Sequence, residues 1–293
     1  MTRHHPLFVI LLTTCSLLAE IAQGGPLADQ IRKSIDQYEN AVRANTLKII
    51  AATTEQEKAQ YRASIPSPQV QATEVLKLVK DNLSQPDAIQ GVTWLATQCI
   101  NLPEGQEALH LLAENFADSP EIAAAVRQME YQPYDLIRPA LTAIQARNST
   151  PTVLAAAHFV EGVHAFRASE AATSPEQREA SKEEAMMRFQ TVLANYPEET
   201  IQGFKLADQA SDMLFEIANL TPGAVVPDVT GKDIDGTEFS ITDYRGKYVV
   251  LIFWGDWCHG CHGVQPALIN LANRFKDQPL QILGVNTDPA STA

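Results

Sequence analysis

YVVLIFWGDWCHGCHGVQPALINLANRFKDQPLQILGV (248–285) is the stretch that decides the reading of this chain. Tyr248–Trp254 is a continuous apolar, β-branched and aromatic run, the pattern of a strand buried on both faces. Residues 259–275 then carry apolar positions at helical spacing through Val264, Leu268, Leu271 and Phe275, and Leu280–Val285 is a second buried strand. Strand, helix and strand in that order predict a right-handed parallel crossover. Just upstream, Asp235-Gly236 is a hairpin turn signal between Asp228–Ile234 and Thr237–Phe239.

Cys258 falls where the first strand meets the helix, the place at which open α/β sheets put their sites. A cysteine at the first turn of a helix faces unpaired backbone N–H groups and the positive end of the helix dipole. Both favour thiolate over thiol, lowering the pKa from about 8.5 to about 3.5–7.5. The thiolate is the nucleophile, so Cys258 is expected to attack a disulfide. Cys261 follows one helical turn later and is expected to resolve the mixed disulfide.

FWGDWCHGC, with Pro266 five residues beyond the second cysteine, resembles the thioredoxin superfamily. PDVTGKDIDGTEFSITDYRGKYVV ahead of it is similar to the lead-in of its exported TlpA/ResA-like thiol-disulfide oxidoreductases, and the likeness covers about 225–288. It implies a redox-active dithiol at Cys258 and Cys261, with Trp257 shielding the active face and Pro266 bending the helix. It also implies protein thiols or disulfides as substrates, an upstream redox partner, and neither a cofactor nor a metal. His259-Gly260 departs from the Gly-Pro of thioredoxin. A cationic His259 beside the Cys258 thiolate would stabilise the reduced form and make the disulfide more oxidising. Ile252 and Val264 stand at the positions where the family often places a buried, proton-moving acid. A thioredoxin fold continues with another helix, a cis-proline loop and two antiparallel strands. The sequence ends at Ala293, soon after Asn286-Thr287-Asp288, so the domain is expected to be C-terminally incomplete.

Upstream the grammar changes. From about 27 to 220 the chain is rich in Ala, Leu, Glu and Gln, with apolar residues three and four apart, as in ALHLLAENF and AMMRFQTVLANY. Breaks are expected at Pro66/Pro68, Pro86, Pro103, Pro120, Pro133, Pro151, Pro175 and Pro197, with capping residues at Ser84, Asp118-Ser119 and Thr173-Ser174. Eight or nine helices follow from this, with strands nearly absent. LAENFADSPE (112–121) and LANYPEE (193–199) look alike, and the latter through FKLADQASDMLFEI loosely resembles a tetratricopeptide-type helix pair. The expectation is a helical array, either presenting a concave binding face or serving as a plain spacer. The fold class is therefore an all-helical domain (27–220) followed by a thioredoxin-like α/β domain (223–293).

Arg3, His4 and His5 precede an apolar run from Leu7 to about Ala19, and Ala22 and Gly24 follow before Gly25-Pro26. Residues 1–24 read as a secretory signal peptide, with an uncleaved anchor as the alternative. The expected location is the periplasm or cell envelope, with no stable membrane span once the signal is cleaved. The chain has 293 residues, 45% of them apolar and 19% charged, which excludes a disordered chain. A net charge of −13 without a basic patch argues against nucleic-acid binding. Of the four cysteines, Cys15 lies in the leader and Cys99 sits in the apolar stretch GVTWLATQCINL, where burial is expected.

Competing chemistries are open on the same residues. Cys258-His259-Gly260-Cys261-His262 is also C-x-x-C-H, the c-type haem attachment pattern, but no Met or His follows His262 as a second axial ligand. A structural zinc would need two further ligands. A peroxiredoxin would carry P-x-x-x-T-x-x-C where this chain has IFWGDWC. In HFVEGVH (158–164), His158 and Glu161 share a helical face without a third convergent ligand. A helical protein-binding scaffold with an inactive redox remnant is the non-enzymatic alternative.

Overall fold

In a computed structural model, residues 25–288 are described. The expected leader (1–24) lies outside them. The chain divides between Thr221 and Pro222 into two compact units.

The first unit is helical. α1 (Pro26–Ala51) buries Leu27, Ile31 and Ile35 at successive four-residue steps. α2 (Glu55–Ala63) starts from a capping box in which Thr54 and Glu57 satisfy each other's backbone N–H groups. α3 (Gln69–Asp81), α4 (Ala88–Gln98) and α5 (Pro103–Leu111) follow, and α5 runs into a π turn at Leu112–Phe116. Carbonyls of that turn at Ala113 and Glu114 accept from Arg147 at 2.9 and 2.8 Å. Next come a 3-10 turn (Pro120–Ile122), α6 (Ala123–Gln128), a second 3-10 turn (Met129–Tyr131), α7 (Tyr134–Arg147), α8 (Pro151–Ala171) and α9 (Pro175–Asn195). A two-residue hairpin, β1 (Thr200–Ile201) with β2 (Phe204–Lys205), turns through Gln202 (φ 53°) and Gly203 (φ 80°) into α10 (Leu206–Asn219).

The described residues thus hold ten α-helices before residue 220, where proline spacing predicted eight or nine. All the prolines named as breaks lie at or between helix ends, and Pro103, Pro151 and Pro175 open helices. Ser119 and Ser174 accept backbone N–H groups as caps, but Ser84 does not: α4 starts after Asp87, which makes no side-chain cap bond. LAENFADSPE and LANYPEE diverge in structure, the first passing through the π turn and the second leading into the hairpin.

α8 is the centre of this unit. It is apolar on almost every side, burying Val153, Ala157, Phe159, Val160, Val163 and Phe166, and α6, α7, α9 and α10 pack around it. Gly162 lets the Phe189 ring of α9 approach: a Cβ there would stand 2.8 Å from the ring.

The second unit opens with β3 (Thr230–Lys232) and β4 (Glu238–Ser240), an antiparallel hairpin shorter than its sequence pattern. Asp233 accepts the N–H groups of Asp235 and Thr237, and Gly236 takes φ 81°. After a 3-10 turn (Ile241–Tyr244), β5 (Tyr248–Trp254), α11 (His259–Arg274) and β6 (Leu280–Asn286) form the crossover, with β5 and β6 parallel from Tyr248↔Leu280 to Trp254↔Asn286. Burial of β5 on both faces is corrected: Tyr248 is 77% and Phe253 62% exposed. Among the described residues β6 is the only strand paired with β5, so much of the sheet surface stays open.

Candidate functional site

β5 ends at Trp254, and three residues carry the chain to Cys258, the N-cap of α11. The turn is closed by the Cys258 N–H donating to Gly255 O at 2.9 Å. Gly255 is buried, and a Cβ there would stand 2.4 Å from Trp257 Nε1 and 2.8 Å from Asp288 Oδ1, so those two side chains would have to shift to admit one.

The Cys258 carbonyl accepts the Cys261 N–H at 2.9 Å, opening the helix, and Cys258 Sγ accepts that same N–H at 3.2 Å. Cys258 and Cys261 are joined in a disulfide, their Cα atoms 5.3 Å apart. The Cys258 sulfur therefore shares a first-turn N–H with its own carbonyl, at the positive end of a 16-residue helix. Once the bond is reduced, the same donor and dipole stabilise negative charge on that sulfur.

The residues around the pair are placed unevenly. Trp257 is 69% exposed beside Cys258, so its indole is open to solvent and not packed in a core. His259 is the first residue of α11, and its side chain lies outside what is described. Gly260 is exposed, with open space where a Cβ would stand, and Pro266 lies exposed within α11. Ile252 is half-buried and Val264 is 50% exposed. Sequence reasoning missed Thr287 and Asp288. Thr287 donates its N–H and hydroxyl to Trp254 O, and the Asp288 carboxylate accepts the Asp256 N–H. The available signal was the parallel register, which sets residues after β6 beside residues after β5.

Cys99 is free and 2% exposed at the end of α4. Burial, with a smaller contribution from the Glu104 charge, pushes its thiol up from 9.0 to about 12. Iodoacetamide at pH about 8 therefore modifies Cys99 in the folded chain on the order of a thousandfold more slowly than a free cysteine. Peptide mapping by mass spectrometry checks this, and labelling at the free-thiol rate would contradict it.

HFVEGVH is absorbed into an ion-pair network. Glu161 Oε2 accepts from Arg188 and from Gln145, both at 2.6 Å, while His158 Nδ1 faces Arg188 at 3.4 Å. His164 Nε2 lies 3.1 Å from Met129 O. Among the described residues no group of three or more His, Cys, Asp or Glu is arranged to hold a metal ion. Burial holds both histidines below their ordinary pKa, and the Arg188 charge adds to this at His158. The unfolded chain then takes up protons first on acidification, so stability present above about pH 6.5 is lost as pH falls through the folded values. The melting temperature of the helical unit is expected to drop between about pH 7 and 5. A His158→Gln/His164→Gln variant is expected to show a smaller drop, and an equal one would contradict the assignment.

Residues 222–293 match the AhpC/TSA family. The chain is 42% identical over 64 residues to the thiol-disulfide oxidoreductase ResA of Geobacillus thermodenitrificans, covering 22% of this chain and 37% of that protein. It is 32% identical over 75 residues to ResA of Bacillus subtilis, covering 26% and 42%. With ResA of Bacillus anthracis it shares 33% over 92 residues, 31% and 48% of the two chains. The chain thus spans less than half the length of these curated relatives. No solved structure matches it. In its strand, cysteine-capped helix and parallel strand, as in these likenesses, the segment from residue 222 onward is similar to thioredoxin-superfamily proteins of the TlpA/ResA type.

Proposed function

We propose that this chain is an exported thiol-disulfide oxidoreductase whose Cys258–Cys261 couple exchanges with disulfides of protein substrates. The observation that carries the reading is the paired Cys258 at the N-cap of α11, its sulfur on the Cys261 N–H. In the reduced enzyme the Cys258 thiolate attacks one sulfur of the substrate disulfide. A mixed disulfide forms and the other substrate sulfur leaves as thiolate. Cys261, deprotonated, then attacks Cys258 Sγ, the mixed disulfide breaks and the second substrate thiolate is released. Two electrons pass to the substrate, and the enzyme is left in its disulfide form. A dithiol partner must reduce it again for a further cycle.

Export is supported by the basic, apolar and small-residue order of residues 3–24. Among the described residues no helix is long and apolar enough to cross a membrane. The helical unit is proposed to act as a protein-binding scaffold for the redox unit. Its exposed Leu47, Ile50, Phe204 and Phe215 are apolar surface that such a role would use.

The test is insulin disulfide reduction driven by dithiothreitol, followed by turbidity. Precipitation faster than in dithiothreitol alone is expected, and equal rates would overturn the reading. The AhpC/TSA likeness favours one other activity, peroxide reduction. Rapid peroxide consumption without insulin reduction would select it instead.

A further inference from the structure

Two residues just beyond β6 reach across to the end of β5 and the turn that carries Cys258. Thr287 donates its N–H at 2.8 Å and its hydroxyl at 3.0 Å to Trp254 O. The two carboxylate oxygens of half-buried Asp288 accept the Asp256 N–H at 3.0 and 3.1 Å. The Asp288 N–H donates in turn to Asn286 Oδ1 at 2.6 Å, which fixes the aspartate's own backbone. Asp288 Oδ1 and Trp257 Nε1 both crowd Gly255, each within 3 Å of where its Cβ would stand.

Only Gly255, Asp256 and Trp257 separate β5 from the capping cysteine. Their geometry decides whether Cys258 Sγ meets the Cys261 N–H, now 3.2 Å away. The dipole effect on a thiolate is confined to the first turn, so a small displacement of the cap weakens it. Asp256 is the middle residue of that connection, and a carboxylate is the stronger kind of acceptor for its N–H.

We propose that Asp288 is a positioning residue for the Cys258–Cys261 couple: its carboxylate holds the Asp256 peptide so that Cys258 caps α11. The proposal rests on the disulfide-exchange reading for its importance, but not for its measurement. Its sign separates it from a simple charge effect. A carboxylate acting through space disfavours a nearby thiolate, so removing that charge would make Cys258 more acidic. Loss of positioning makes Cys258 less acidic.

The experiment is the pH dependence of Cys258 alkylation by iodoacetamide in the reduced full-length chain, read by peptide mass spectrometry. Asp288→Ala is expected to raise the midpoint by about one pH unit, about tenfold slower alkylation below the midpoint. The Cys258–Cys261 reduction potential is expected to become more negative by about 30 mV, the equivalent of that tenfold. Asp288→Asn keeps an acceptor oxygen for the Asp256 N–H and is expected to stay within about twofold of the parent. An unchanged or lowered midpoint in Asp288→Ala overturns the proposal. So does a lowered midpoint in Asp288→Asn, which decides the matter if the alanine variant does not fold by circular dichroism. Failure of the redox reading looks different: insulin is not reduced by the parent chain, whatever the alkylation midpoints.

Discussion

Serine in place of Cys258 is expected to leave insulin reduction at the rate of dithiothreitol alone, whereas serine in place of Cys261 is expected to accumulate a mixed disulfide with the substrate. The asymmetry follows from where the two sulfurs sit. Cys258 is the N-cap of α11 and its sulfur lies on the Cys261 N–H, so the charge-stabilising environment belongs to the first cysteine. A serine hydroxyl there is not ionised near neutrality and does not open a disulfide. With Cys261→Ser the attack by Cys258 still proceeds, but no second thiolate stands one turn along to break the adduct. Non-reducing electrophoresis and intact-mass measurement read the adduct directly. An adduct on Cys261 in the Cys258→Ser chain, with none in Cys261→Ser, would reverse the roles. Equal insulin reduction by the parent and Cys258→Ser would mean that the couple is inactive and leave the scaffold reading.

The sequence made some of this legible and hid the rest for identifiable reasons. Proline lacks an N–H and suits the first helical turn, so Pro103, Pro151 and Pro175 mark helix starts by themselves. The break between α1 and α2 has no proline. It is made by Thr54 and Glu57, a capping box set in a polar run. The ends of β5 were readable because Tyr248–Trp254 is one apolar block, yet its burial was not. Burial depends on what packs over a strand, which its own residues do not state. Cys258 and Cys261 announce themselves by spacing and by following a strand. Asp288 does not: it lies 32 residues from Asp256 and bonds to a backbone N–H, a contact that leaves no residue pattern at the other end.

Alanine in place of Phe189 is expected to lower the stability of the helical unit by about 3–5 kcal/mol. Phe189 is fully buried, its ring 5.4 Å edge-on from Phe159 and pressed against Gly162 of α8. Truncation removes the transfer free energy of the ring, the aromatic pair and the filling of a space that a Gly backbone and a second ring line. At about 2–4 °C per kcal/mol for a unit of this size, the melting temperature by far-UV circular dichroism falls by about 6–20 °C. A companion substitution turns this into a test of the packing itself. Gly162→Ala alone drives a Cβ to within 2.8–3.0 Å of three ring atoms, an overpacking cost of about 1–3 kcal/mol. Against that stands the gain of about 0.5–1 kcal/mol from replacing a mid-helix glycine. In the Phe189→Ala background the ring is gone, so only the helix gain and some refilling of the cavity remain. Gly162→Ala should therefore destabilise the parent and stabilise the variant, a coupling of about 1 kcal/mol or more. Additive effects in the four-member cycle would mean that the ring and Gly162 do not share this space.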